Sequence, residues 1–442
     1  MLRSAAVRKS LTFFLLKSAN TALATLWSFL LAYSLVRIVG LENYAFFATV
    51  IAFASLILQA DLGISIRLFG RMRQDFLHPG QASREDLGSA AMAALWSYAA
   101  LAVLATLLFG LAVWAAGLGV EAYRPVYVLL FLGSALPLPW MILRVTANAF
   151  DAYVMTEAID FIRRSALFGL TLALLAGLPL MAYSLAFVAL WLAGLAVLFA
   201  LARRRVPLLA QQGLRARRGF SVLRQDLRGI AASAQLSISE FLIYIFPYYA
   251  IPLMHRDALA LVAFDMFYKV TRFATTAYLT VSETLLPHQT RAWHAGDRAG
   301  LWRTLRLAFL LGLVPMLGGA GVIGLFGEQF FGLLLGQAGV VTPAVRAAIC
   351  VMLVLMLVQT LCGAFLAATG FLAPLARRAS LTLAAMLGFA VLTAQQGWPV
   401  EVFIGGYVAL YGCEALSYLV LMIRTIRRQE QGSSPAGSPI GV

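Results

Sequence analysis

Residues 180–205 read LMAYSLAFVALWLAGLAVLFALARRR, an apolar run without a single charge until three arginines close it. A helix rises about 1.5 Å per residue, so roughly 20 such residues cross the ~30 Å hydrocarbon core of a bilayer. The arginines then mark the cytoplasmic end, because cytoplasmic loops carry an excess of Lys and Arg. The same two signals recur along the whole chain. Of its 442 residues 62% are hydrophobic and 12% charged, against roughly 25% charged in ordinary soluble domains. The mean hydropathy is +0.86. Backbone groups in lipid need internal partners, which leaves helices or closed barrels. These runs are far longer than the ~10-residue alternating segments of a barrel, so they predict an all-α polytopic membrane protein.

Twelve spans are expected, at 12–36, 43–66, 88–117, 124–147, 158–177, 180–201, 230–253, 258–290, 304–326, 343–370, 377–395 and 400–423. The first follows Arg3, Arg8 and Lys9 but is too long for a signal-peptide core, and reads as a retained helix. With both termini cytoplasmic, the inner segments are the start, 67–87, 148–164, 203–229, 291–306, 371–378 and the tail. They hold most of the 34 Lys and Arg residues, whereas only Arg37, Arg124, Arg256 and Arg346 fall outside. The formal charge of +15 therefore orients the protein and does not point to nucleic acid, which would need a basic face on a soluble fold.

Segment 203–229, with Arg203, Arg204, Arg205, Arg215, Arg217, Arg218, Arg224 and Arg228, divides the chain. It separates a six-helix bundle at 1–202 from a second at 230–426, leaving 427–442 as a disordered cytoplasmic tail. Contact with anionic membrane lipid is the expected role of its arginines. Six-plus-six transporters place substrate between bundles that rock against each other. The three cysteines lie in apolar runs, and the four histidines form no ligand pair, so no metal or cofactor is expected. No Gly-rich phosphate loop and no nucleophile–base set is present, and the outer loops are short; an enzyme is not expected.

Charges inside spans cost about 2.5–3.5 kcal/mol each at the bilayer centre and normally face an interior or a hydrated cavity. The eighth span concentrates them. Asp265, Lys269, Arg272, Thr276 and Glu283, at steps of 4, 3, 4 and 7 residues, fall within about 60° of arc. Lys269 and Arg272 lie roughly 16 and 21 Å from the helix start. An Asp265–Lys269 pair at i, i+4 is the structural alternative to a functional one. The seventh span presents Ser233, Ser237, Glu240, Tyr244 and a kinking Pro247, and the first Lys17, Asn20, Thr21, Thr25 and Ser28. Asp61 ends the second span, Arg144 and Asn148 the fourth, and Glu414 lies toward the inner end of the twelfth. Cations Arg144, Lys269 and Arg272 suit an anionic substrate such as a phosphate or diphosphate. Carboxylates Glu240, Asp265, Glu283, Glu414 and Asp61 are candidates for carrying a coupling proton or for lining the cavity.

Gly40-Leu41-Glu42-Asn43-Tyr44-Ala45-Phe46-Phe47, followed by an apolar run ending in Asp61-Leu62-Gly63-Ile64, resembles the opening helix pair of Wzx-type polysaccharide and O-antigen flippases. These belong to the multidrug/oligosaccharidyl-lipid/polysaccharide (MOP) exporter superfamily. Glu283-Thr284-Leu285-Leu286-Pro287 and the following His294-Ala295-Gly296-Asp297 resemble the same family's inner helix end and short loop. Ala45 departs from the Gly frequent in the family. The resemblance implies two six-helix bundles and outward movement of undecaprenyl-diphosphate-linked oligosaccharide across the bacterial inner membrane. It also implies alternating access coupled to a proton or sodium gradient, and work alongside other polysaccharide-assembly proteins. A drug/cation antiporter of the superfamily, or a membrane polysaccharide polymerase or ligase, stays open as an alternative.

Overall fold

The computed structural model describes residues 2–61, 63–77, 84–205, 219–220, 231–255 and 257–430. Fifteen helices run through them, with no strand among the described residues. They are α1 (Leu2–Val39), α2 (Leu41–Leu56), α3 (Ile64–Leu77), α4 (Arg84–Ala115), α5 (Arg124–Ala135), α6 (Pro137–Ala149), α7 (Tyr153–Leu175) and α8 (Leu180–Arg205). There follow α9 (Ala231–Ile245), α10 (Pro247–Met254), α11 (Ala258–His294), α12 (Arg298–Leu335), α13 (Pro343–Ala368), α14 (Leu372–Gln396) and α15 (Val400–Glu430). The fifteen make the twelve expected passages. The second is α2 with the 3-10 turn Ile57–Asp61, running on into α3. The fourth is α5 with α6, and the seventh is α9 with α10.

Two of these divisions are proline breaks. Pro137 and Pro247 lack an N–H and begin α6 and α10, where the missing donor costs nothing. At Pro247, where a kink is expected, the helix is divided.

Nine stretches among the described residues are long and apolar enough to cross a membrane, and α2 is a shorter apolar helix. Neither α7 nor α11 is among the nine. These two passages carry Glu157, Asp160, Arg163 and Arg164, and Asp265, Lys269, Arg272 and Glu283. Plain hydropathy thus fails where the membrane interior holds charge.

The chain forms two compact units, Met1–Phe241 and Leu242–Val442. In the first, α1 packs on α7, α7 on α8, α2 and α8 on α5, and α3 and α4 on α6. At Gly133 of α5 a Cβ would stand 2.2 Å from the Phe187 ring of α8, so only glycine allows that approach. In the second unit α11, α12 and α13 pack on one another, and α13 and α14 pack on α15. Gly406 does there what Gly133 does in the first, since a Cβ would meet the Phe389 ring at 2.1 Å. Large apolar side chains point outward, among them Leu107 and Leu111 of α4 and Val314 and Leu325 of α12. Lipid is the solvent that such surfaces require.

Several boundaries move from those expected. α7 starts at Tyr153 instead of 158, α14 at Leu372 instead of 377, and α15 runs on to Glu430. Residues 427–430, assigned to the tail, are thus helical, and 431–442 lie outside the described residues. Arg203, Arg204 and Arg205 form the last turn of α8, where cations meet the helix's exposed carbonyls favourably. Residues 206–218 and 221–230, with the remaining linker arginines, also lie outside the described residues.

Candidate functional site

In the second unit the stripe of α11 begins deep and ends exposed. Asp265 is buried, Lys269 half-buried, Arg272 exposed, Thr276 half-buried and Glu283 exposed. The opposite face, with Phe267, Thr271, Tyr278 and Ser282, is buried. The predicted face is therefore the helix's outward edge.

Asp265 forms an ion pair with Lys269, one turn on, and accepts a hydrogen bond of 2.7 Å from the Tyr248 hydroxyl of α10. Tyr248 is held by the rings of Phe264 and Tyr268, at 5.2 and 5.4 Å between centroids. The i, i+4 pairing weighed from the spacing is thus formed. Arg272, by contrast, enters no ion pair among the described residues, although Thr276 Oγ1 donates to its carbonyl at 3.0 Å. An exposed guanidinium at mid-span would be costly against hydrocarbon, so this edge of α11 needs water or an anion beside it.

Glu414 of α15 is 2% exposed, and Tyr407, Tyr411 and Tyr418 of the same helix are buried. The Tyr411 hydroxyl meets that of Tyr244 from α9 at 2.6 Å. Glu240 lies half-buried in α9, one residue before the division between the units.

In the first unit Arg144 of α6 forms an ion pair with Glu157 of α7. The Glu157 side chain is 2% exposed and that of Arg144 36%. Asn20 of α1 donates through Nδ2 to Glu157 Oε2 at 2.8 Å and to its backbone carbonyl at 3.0 Å. Three helices therefore meet on one carboxylate. Thr156 Oγ1 also donates to Asn148 Oδ1 at 2.7 Å, and so ties α7 to α6 again.

Asp61 has a local task. It accepts from the Ser65 N–H at 3.0 Å, the Ser65 hydroxyl at 2.5 Å and the Tyr98 hydroxyl at 2.7 Å. It thereby satisfies a free N–H at the start of α3 and ties that start to α4. All three bonds fall on Oδ1.

The sequence reading names Asn20 but passes over Glu157, and assigns Arg163 and Arg164 to a cytoplasmic segment. With α7 beginning at Tyr153, Glu157, Asp160 and Arg163 are all buried within the unit. The overlooked signal is helical spacing. Glu157, Asp160, Arg164 and Thr171 follow at steps of 3, 4 and 7 residues, one face of a helix. Among the described residues no group of His, Cys, Asp and Glu has the arrangement to hold a metal ion.

No family model matches the chain, and no curated protein matches it. Solved structures do. An inward-facing multidrug resistance MATE family transporter of the MOP superfamily aligns with TM-score 0.69 at 14% identity, over 95% of this chain and 100% of that one. A MOP superfamily transporter from Pyrococcus furiosus aligns with TM-score 0.64 at 13% identity, over 96% of each chain. The Vibrio cholerae MATE transporter VcmN aligns with TM-score 0.64 at 14% identity, over 96% of this chain and 98% of that one. At such identities the likeness is one of fold: the chain is an all-helical, multi-pass membrane protein built like the MATE transporters of the MOP superfamily.

Proposed function

We propose that the protein is a membrane transporter that flips lipid-linked oligosaccharide or polysaccharide repeat units outward across the bacterial inner membrane. It would work by alternating access, with both termini in the cytoplasm. The observation that carries this reading is the edge of α11, where exposed Arg272 stands without an ion pair one turn from Lys269. A guanidinium takes two phosphate oxygens at once, and an ammonium adds a point charge, so the edge suits a diphosphate-linked cargo. Arg144 is engaged by Glu157 yet keeps about a third of its side chain exposed, and is the cationic candidate within the first unit. The Wzx-like sequence features agree with this cargo. Undecaprenyl-diphosphate-linked oligosaccharide is the proposed substrate, with other polysaccharide-assembly proteins as partners. A proton or sodium ion would provide the drive, with Asp265, Glu414, Glu240 and Glu283 as the carboxylates available to it.

A second reading, a drug/cation antiporter, has its own support. The structural neighbours include multidrug transporters, and Asp265, Glu157 and Glu414 are buried acids of the kind a cationic drug would seek. The Pyrococcus furiosus neighbour is described as having a binding pocket of reverse polarity that suggests a different function. One fold thus carries pockets of different polarity, and the local charge has to decide. Here the edge of α11 carries exposed Arg272 and half-buried Lys269 ahead of exposed Glu283, while the buried acids Asp265 and Glu157 are already paired with cations. No observation favours a polymerase or ligase.

The test is the Lys269→Ala/Arg272→Ala double variant in the native host. Surface polysaccharide is expected to disappear while the protein stays in the membrane at its normal level. Normal polysaccharide in that strain removes the site assignment. Resistance to cationic dyes on overexpression, lost in Asp265→Asn, would favour the antiporter.

A further inference from the structure

Two turns of α7 beyond Glu157, the guanidinium of Arg163 is enclosed by aromatic rings. Its Cζ lies 3.6 Å from the centroid of Trp191 on α8 and 5.3 Å from that of Trp140 on α6. The two indoles meet edge-on at 6.0 Å. Gly194 makes room for the side chain, since a Cβ there would stand 3.0 Å from Arg163 Cδ and 3.3 Å from Trp140. The Arg163 side chain is 5% exposed.

Asp160 is spoken for on both oxygens. Arg163 Nη2 donates to Oδ1 at 2.5 Å and Arg164 Nε to Oδ2 at 2.8 Å. That leaves Arg163 Nε and Nη1, together with Trp191 Nε1, buried and without an acceptor among the described residues. The guanidinium lies over the indole of Trp191, which carries the third of these nitrogens.

Two arguments say what belongs there. The first is charge: one Asp stands against two Arg, of which Arg164 is 30% exposed but Arg163 only 5%, and an uncompensated buried charge is costly. The second is donor chemistry. These nitrogens only donate, whereas water would bring two O–H donors needing acceptors of their own. The edges of the indole rings also carry positive partial charge. We propose that Arg163 and Trp191, walled by Trp140, bind a small monovalent inorganic anion of halide size inside the first unit. The anion ties α6, α7 and α8 together and is separate from the cargo.

The purified full-length protein in detergent, held at constant ionic strength in gluconate, is titrated with chloride. Tm is expected to rise and saturate; bromide reproduces the rise and sulfate, being larger, does not. Iodide should quench tryptophan fluorescence saturably over the same range. Trp191→Phe keeps the ring but removes one donor to the anion, and should raise the half-saturating chloride concentration about tenfold. Arg163→Lys keeps the charge without the fork and should lose the dependence. A wild-type Tm equal in chloride and gluconate overturns the proposal. So does an unchanged chloride midpoint in Trp191→Phe, and the cluster is then packing alone.

Discussion

Each unit buries a carboxylate beneath a more exposed cation, but the two pairs are wired differently. In the second unit Lys269 and Asp265 sit one turn apart on α11, and the Tyr248 hydroxyl arrives from α10. In the first unit no two partners share an element: Glu157 comes from α7, Arg144 from α6 and Asn20 from α1. A local pair can be broken while its helices stay docked, because the surrounding packing does not depend on it. A pair that joins three helices is part of the docking itself. The first unit's cluster is therefore expected to serve architecture more, and the second's to serve cargo more.

That contrast is open to measurement, beginning with the largest expected effect. Glu157→Ala takes the carboxylate from Arg144 and from Asn20, which keeps only its bond to the residue's backbone carbonyl, and should lower unfolding stability in detergent by about 3 kcal/mol. A loss below about 1 kcal/mol would break the comparison. Lys269→Ala removes the cation paired with Asp265 and should cost about 1–2 kcal/mol. Adding Asp265→Asn should recover most of that stability without restoring transport, because the charge needed by the cargo is still missing. If the double variant transports normally, the pair is structural only. Tyr248→Phe removes one hydrogen bond and should cost about 1 kcal/mol while leaving the ring contacts in place. Arg272→Ala should change stability by no more than about 0.5 kcal/mol, since the side chain is exposed and enters no ion pair. Its whole effect should appear in transport, as a drop of about tenfold for loss of one charge-assisted contact. A stability loss in Arg272→Ala equal to that in Lys269→Ala would remove the distinction between the two cations.

Much of the second unit's site was legible in advance. Helical period is a local property, so the spacing of Asp265, Lys269 and Arg272 placed them on one edge and paired the first two. The first unit's site was not. Starting the fifth span at 158 put Glu157 in a loop and counted Arg163 among orienting charges, because hydropathy penalises the residues that make a buried polar cluster. Asp61, named from its position at a span's end as a possible cavity acid, has a structural task that the spacing did not announce: Ser65, four residues on, and Tyr98 both donate to its Oδ1.

What the sequence determined alone is the number of passages and their helical character. These follow from the transfer of short contiguous segments between water and lipid, which needs no knowledge of neighbours. Only the tertiary structure decided which charges are held and which stand free. Asn20 finds Glu157 across 137 residues, and Arg144 finds it across 13. The energy of such pairs depends on which helices pack together, and no local period encodes that.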